Sequence, residues 1–208
     1  MNCRQPILIL LLGLSLAAES QTRQNPSAKP AEHTQLYRNT TFAFRFQIPY
    51  SWVDRTREMR EQEATDESDP KERAGNLGKG EVLLAVFARP PEATGETVNS
   101  AVVIAAESAA AYPGLKKAED YLGPLTELTT SKGFKAEGDP SVIEIDARQL
   151  VRADFTKPLN DKLTMRQATL VLLAHGQIVS FTFIAGSEDE LDDLIDNLQF
   201  GPAKPPVH

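Results

Sequence analysis

The sequence holds three histidines, the side chains best suited to acid–base catalysis and metal binding near neutral pH. His33 lies in a polar segment, His175 in a short turn between two apolar runs, and His208 is the last residue given. None has a partner at the H-x-x-x-H or H-E-x-x-H spacing of a zinc site, and a single cysteine, Cys3, cannot form a thiolate cluster. We therefore predict no metal site and no histidine-based catalysis.

Motifs for a serine nucleophile and for phosphate binding are also missing from the sequence. No serine lies in a G-x-S-x-G elbow, and the glycine-rich stretch at 75–80 matches neither G-x-x-x-x-G-K-[ST] nor G-x-G-x-x-G. An enzyme would need an isolated base such as Glu144 or Asp154 with a raised pKa. We therefore expect a protein without catalytic residues and without a cofactor.

Two charged clusters remain as candidate binding surfaces. The segment 54–80 mixes acidic and basic side chains and is typical of a solvated irregular loop, and its spacing is not that of an EF-hand. The second cluster places six acids, and no base, on the last predicted helix. The residues that we expect to contact a partner are Arg57, Glu61 and Asp66 in the first cluster, and Asp189, Asp192 and Asp193 in the second.

The overall charge restricts the class of partner. The 208 residues carry 22 Lys and Arg against 29 Asp and Glu, a net charge of −7 at pH 7. Nucleic acid and anionic membranes attract dense basic surfaces, so neither is expected as the partner. The acidic balance therefore leaves open a protein partner and, as the alternative, a small ligand or a divalent cation.

The first 20 residues have the pattern of a secretory signal peptide. Arg4 precedes thirteen mostly aliphatic residues at 6–18, and small residues at 18 and 20 suit cleavage after Ser20. A retained anchor is the alternative, but the apolar run is shorter than the roughly 20 residues that span a bilayer. We therefore predict export to the periplasm or the cell exterior, with no stable membrane span after cleavage. Cys3 would be removed with the peptide.

The remaining chain is predicted to be one domain between two flexible ends. Polar, proline-containing segments at 21–35 and 201–208 are typical of a tether and a tail, and residues 36–200 form the domain. Strands are predicted at 42–48, 81–88, 100–106, 142–147, 149–155, 164–174 and 177–185. Helices are predicted at 116–131, interrupted at Gly123-Pro124, and at 187–198, where Ser187 and Glu190 form a capping box.

These elements predict an α+β fold. Short connections, including a two-residue hairpin at His175-Gly176, make most of the strand pairing antiparallel. Apolar strands that need cover on both faces place helices on either side of one central sheet. The expected architecture is therefore an α/β/α sandwich.

Three segments resemble the PsbP-like superfamily, which includes photosystem II extrinsic proteins, a nuclear Ran-binding factor and exported bacterial proteins. They are the strand, proline and tryptophan at 44–52, the Tyr-Pro-Gly and following residues at 112–122, and the hairpin with its capped helix at 169–200. The resemblance covers about 37–200. It implies a scaffold for protein association with no shared catalytic residues. The expected function is that of an exported accessory or protein-binding domain, whose partner is another envelope or secreted protein.

Overall fold

The computed structural model describes residues 35–66 and 80–201, with backbone only over 63–66. The predicted signal peptide, the tether up to residue 34, residues 202–208 of the tail and residues 67–79 of the charged segment lie outside the described residues. Gln35, expected to end the tether, is the first residue of a strand. Gly201, expected to begin the tail, donates its backbone N–H to the carbonyl of Ala43 at 2.9 Å.

The described residues form ten strands and three α-helices. The strands are β1 (Gln35–Asn39), β2 (Phe44–Ile48), β3 (Val53–Asp54), β4 (Gly80–Phe87), β5 (Ala101–Ser108), β6 (Lys135–Ile145), β7 (Arg148–Asn160), β8 (Leu163–Ala174), β9 (Gln177–Ala185) and β10 (Leu198–Phe200). The α-helices are α1 (Thr56–Asp66), α2 (Leu122–Ser131) and α3 (Glu188–Asp196). A 3-10 helix, Ala118–Tyr121, precedes α2, so two helices in series are found as predicted. The division lies before Leu122 and not at Gly123-Pro124, which belongs to the first turn of α2, where a proline is tolerated.

The strands build two antiparallel sheets. The large sheet has seven strands in the order β3-β4-β5-β9-β8-β7-β6, and the small sheet has the order β1-β2-β10. Every pairing in both sheets is antiparallel. The predicted α+β class with an antiparallel central sheet is confirmed. The small sheet was not expected, because β1 and β10 are too short and too mixed in polarity to stand out as strands.

Each face of the large sheet has its own core. One core joins the inner side chains of β4, β5, β8 and β9 to the small sheet and to α3, whose Leu191, Leu194 and Ile195 point inward. The other core packs Tyr121, Leu122 and Leu125 against β7 and β8. Helices therefore cover both faces, as expected, and the small sheet shares one face with α3. No helix in the described ranges has both the length and the apolar character that crossing a bilayer needs.

Two-residue turns hold the register of the large sheet. His175 and Gly176 both have positive φ, 53° and 72°, which is the backbone of a primed turn and confirms the predicted hairpin between β8 and β9. Asp146 and Ala147 adopt the same conformation, with φ of 46° and 63°, between β6 and β7. Primed turns match the right-handed twist of the strands. They therefore determine which residues of β6 face β7.

The prediction that 54–80 is irregular throughout is wrong for 56–66, which forms α1. Few apolar residues mark this helix, and it is held by polar contacts to the edge of β4. Thr56 Oγ1 accepts the backbone N–H of Ala85 at 2.9 Å, and Arg60 Nε donates to the carbonyl of Val82 at 2.5 Å. The helix thereby covers the part of the β4 edge that lies beyond β3, which hydrophobic periodicity could not reveal.

Candidate functional site

A cleft lies where the open edges of the two sheets approach each other. It has a volume of about 510 Å³ and runs between the end of β6 and β10. We call it the β6–β10 cleft; it is lined by Arg45, Glu144, Ile145, Asp146, Ile195, Asp196, Leu198 and Gln199. Among these described residues, three carboxylates and one guanidinium line the same space, so this part of the lining is net negative.

Arg45 is the one basic side chain among the described residues that line the cleft, and its hydrogen bonds hold it in place. It is buried, although it lies between Phe44 and Phe46 on a strand whose outer face the sequence marks as mixed. Its Nε donates to Oε1 of Gln199 at 2.7 Å, and its Nη1 donates to the carbonyl of Gly201 at 2.8 Å. Gln199 lies directly opposite Arg45 in the β2–β10 pairing. Arg45 therefore secures β10 to β2.

Asp146 links the tip of the β6–β7 hairpin to the small sheet. Its positive φ turns the chain, and its Oδ2 accepts the backbone N–H of Phe200 at 3.1 Å. This carboxylate satisfies a donor on the outer edge of β10 that no strand reaches. The hairpin tip is thus fixed against β10, and the cleft keeps its width.

The N-terminus of α3 is capped largely as the sequence predicts. Ser187 Oγ accepts the backbone N–H of Glu190 at 3.2 Å, which is the first half of the capping box. The Glu190 carboxylate accepts instead from Ser100 Oγ at 2.5 Å and from the backbone N–H of Gly186 at 3.1 Å. Glu190 therefore joins α3 to the segment before β5 and does not belong to the exposed acidic face.

The exposed face of α3 carries the acidic residues selected from the sequence. Asp192 pairs with Arg152 at 3.3 Å, and Glu188 pairs with Arg166 at 2.9 Å, so these two charges are partly compensated. Among the described residues, no basic side chain lies within ion-pair distance of Asp189, Asp193 or Asp196. Their spacing of four and three residues places them in one stripe. We call these three residues the α3 acidic stripe, and its Asp196 end lies in the β6–β10 cleft.

The candidates in the first charged cluster lie on α1, at the opposite edge of the large sheet. The Arg57 side chain is 81% exposed, and its Nε lies 3.8 Å from Oε1 of Glu61. Asp66 ends the helix, and its side chain is outside the described part. Because α1 packs on β4 while the cleft borders β6, the fold does not bring the two predicted groups together.

A buried carboxylate that sequence reasoning missed lies at the end of β5. Glu107 is only 7% exposed; its Oε1 accepts the hydroxyl of Tyr121 at 2.5 Å, and its Oε2 accepts that of Tyr112 at 2.6 Å. The two tyrosine rings meet edge to face, 5.2 Å apart. Burial, followed by the hydrogen bond and the charge of Glu107, raises the pKa of both tyrosines well above the usual range. The two tyrosine hydroxyls thus give the buried carboxylate a hydrogen-bond donor at each oxygen and connect the end of β5 to the segment that follows it.

The raised tyrosine pKa values predict a loss of stability at alkaline pH. A group whose pKa is higher in the folded state stabilises the fold fully below its unfolded pKa, about 10 for tyrosine. This stabilisation is lost as the pH rises from about 10 towards the folded-state pKa. Urea unfolding between about pH 8 and pH 11.5 is expected to show the decline. The free energy of unfolding of a Tyr112→Phe/Tyr121→Phe variant should fall less steeply with pH. Equal slopes for the variant and the unchanged chain would contradict the raised pKa values of the two tyrosines.

The two carboxylates considered as catalytic bases, Asp154 and Glu144, lie away from the Glu107 cluster. Asp154 accepts from Arg152 Nε at 3.0 Å, and Glu144 is exposed at the rim of the cleft. Among the side chains that the structure describes, no three of the types that ligate metals converge closely enough to hold an ion. The geometry of the described residues therefore offers a charged cleft and an acidic helix face as its candidate surfaces.

No family model matches the chain, and no curated protein sequence matches it. Cyanobacterial PsbP (CyanoP) of Synechocystis sp. PCC 6803 is similar in structure, at 13% identity and a TM-score of 0.47, over 85% of this chain and 98% of that one. LpqN, involved in cell envelope biogenesis of Mycobacterium tuberculosis, is similar at 14% and 0.40, over 83% and 88%. The Ran-binding protein Mog1p of Saccharomyces cerevisiae is similar at 11% and 0.41, over 83% and 86%. The expected resemblance to PsbP-like proteins is thus confirmed, as a likeness of fold alone.

Proposed function

We propose that this protein is exported and acts without catalysis, by binding a basic surface of another envelope or secreted protein. The observation that carries the proposal is the α3 acidic stripe, whose three carboxylates are exposed on one face beside the net negative β6–β10 cleft. Unpaired like charges on one surface repel each other, and a complementary partner relieves that repulsion and is steered towards it. Export rests on the pattern of residues 1–20.

Other features of the molecule fit an interface better than a reaction centre. The acids of the stripe lie opposite the apolar face of α3, so they can contact a partner without disturbing the core. The buried carboxylate of Glu107 accepts a tyrosine hydroxyl at each of its two oxygens, so both oxygens already have a partner within the fold. Arg57 and Glu61 on α1 are a second, separate surface, where charges of both signs lie close together and offset each other.

Reversing the charge of the stripe is expected to abolish partner capture. The full chain, tagged at its C-terminus and expressed in its source cells, is crosslinked in the envelope fraction, and the recovered proteins are quantified. The Asp189→Lys/Asp193→Lys/Asp196→Lys variant should lose at least about tenfold of any partner that the unchanged chain enriches, since several desolvated charge pairs are worth more than the 1.4 kcal/mol of a tenfold change.

The matched control reverses three exposed acids elsewhere, Glu96→Lys/Glu119→Lys/Glu127→Lys, with the same change in net charge. Capture that is kept by this control and lost by the stripe variant supports the proposal. Equal capture by all three chains would contradict it. If no partner is captured and millimolar divalent cations or small amines raise the Tm, the result would favour the alternative, a small-ligand or cation-binding protein.

A further inference from the structure

We propose that the β6 edge is a docking site for a basic, extended segment of a partner protein, which adds to the large sheet as a further strand. The proposal rests on the proposed function, because it specifies the form of the partner at the same surface. An added strand gains affinity from backbone hydrogen bonds and specificity from alternate side chains. The structure supplies the open edge, the apolar contact and the charge that this mode of binding needs.

The second half of β6 presents unused backbone groups. Ile145 and Arg148 flank the two-residue turn at Asp146-Ala147, so they form a pair that exchanges both hydrogen bonds. The alternation of an antiparallel ladder then directs the N–H and C=O of Ile143 towards β7 as well. The backbone groups of Val142 and Glu144 point the other way, out from the sheet.

The other edge of the large sheet and the first half of β6 are less suited to receive a strand. The β4 edge is paired with β3 and then covered by α1. In β6 itself, Gly138-Asp139-Pro140 interrupts the pairing with β7, and such a bulge with a proline blunts an edge. Residues 141–145 follow this bulge with regular pairing and no such protection. The open half of β6 is therefore a defined stretch of five residues.

Side chains around this stretch select the occupant. Val142 is 57% exposed and offers an apolar contact to a neighbouring strand. Glu144, Asp146 and Asp196 line the cleft that an added strand would border, against the single guanidinium of Arg45. Charge complementarity therefore favours a segment in which lysine or arginine alternates with apolar residues. A second copy of this acidic chain would bring like charges together.

The probe is an eight-residue peptide of alternating lysine and valine, added to the full chain while backbone amide exchange is followed by NMR. We expect exchange at Val142 and Glu144 to slow by at least about tenfold in the bound state. Exchange at Ile143 and Ile145 should not change, because β7 already binds these amides. A peptide with glutamate in place of lysine should give no protection.

Two further arms separate strand addition from attraction by charge alone. A lysine–valine peptide with alternate N-methyl groups on its pairing edge keeps the charge and loses the backbone donors, so it should give no protection. Val142→Pro removes the outward N–H and leaves the inward ladder, and it should weaken binding of the unmodified peptide by about tenfold. Val142→Thr keeps the N–H and serves as the matched control.

The outcomes distinguish this inference from the proposed function. Equal binding of the N-methylated peptide would overturn strand addition and leave an acidic interface in place. Protection of Leu36 and Arg38 on β1 would place the added strand on the small sheet and overturn the assignment to β6. Protection of Val142 that depends on protein concentration, without peptide, would identify a second copy as the occupant. Absence of peptide binding would overturn the strand site, while the capture experiment decides the proposed function independently.

Discussion

Phe181→Ala is expected to lower the free energy of unfolding by about 3–5 kcal/mol, because it removes the ring that joins the two sheets. Phe181 lies on β9 and is fully buried. Its ring meets Phe44 of β2 edge to face at 5.0 Å and Phe200 of β10 at 5.9 Å. Alanine would leave a cavity between the sheets as well as losing the transfer free energy of the ring.

Urea unfolding followed by circular dichroism measures this effect, and Tyr50→Ala is the matched control. Tyr50 is also aromatic but 64% exposed, so its removal should change stability by less than about 0.5 kcal/mol. A loss of under about 1 kcal/mol for Phe181→Ala would mean that the small sheet does not depend on this contact for its packing.

Tyr121→Phe is expected to lower the free energy of unfolding by about 1.5–3 kcal/mol, which is the range for a hydrogen bond to a charged group. The change removes one hydroxyl from a side chain that is only 1% exposed and leaves the ring packing in place. The Glu107 carboxylate then loses one of its two tyrosine donors inside the protein. Water replaces that donor poorly at a buried position.

Tyr112→Phe provides the comparison within the same cluster. Tyr112 donates to the other oxygen of Glu107 but is only partly buried, so water can take its place and the loss should be about 1 kcal/mol or less. Chemical denaturation of both variants at pH 7 gives the two values. Equal losses of unfolding free energy in the two variants would mean that burial does not set the strength of these hydrogen bonds. No loss for Tyr121→Phe would contradict a stabilising hydrogen bond from Tyr121 to Glu107.

Local patterns predicted the elements that carry strong periodic signals. The alternation of Phe42, Phe44 and Phe46 predicts a strand, and all three side chains are buried. Phe44 and Phe46 lie on β2 as predicted, whereas Phe42 lies in the turn before it, because Ala43 has a positive φ of 54°. The spacing of Leu191, Leu194 and Ile195 likewise marks the inward face of α3. These predictions succeed because a strand or helix at the surface of a core must alternate apolar and polar residues with its own period.

The polar residues of the candidate site could not be found in the same way. Arg45 and Gln199 are 154 positions apart, and Glu107 and Tyr121 are separated by 14, yet each pair is joined by a hydrogen bond. One signal was available: Glu107 ends a long apolar run, which is a costly position for an unpartnered carboxylate. The sequence does not show that Tyr112 and Tyr121 are the partners of Glu107, because this depends on the path that the chain takes after β5.

The sequence by itself determined the α+β class, the antiparallel hairpin at His175-Gly176 and the amphipathic, strongly acidic last helix. Tertiary structure alone decided that α1 covers the β4 edge while the second half of β6 stays open, and that three carboxylates meet Arg45 in one cleft. The physical reason is the range of the forces involved. Backbone conformation and amphipathicity depend on neighbours within a few residues, whereas an edge or a cleft is created by segments that meet only when the chain is folded.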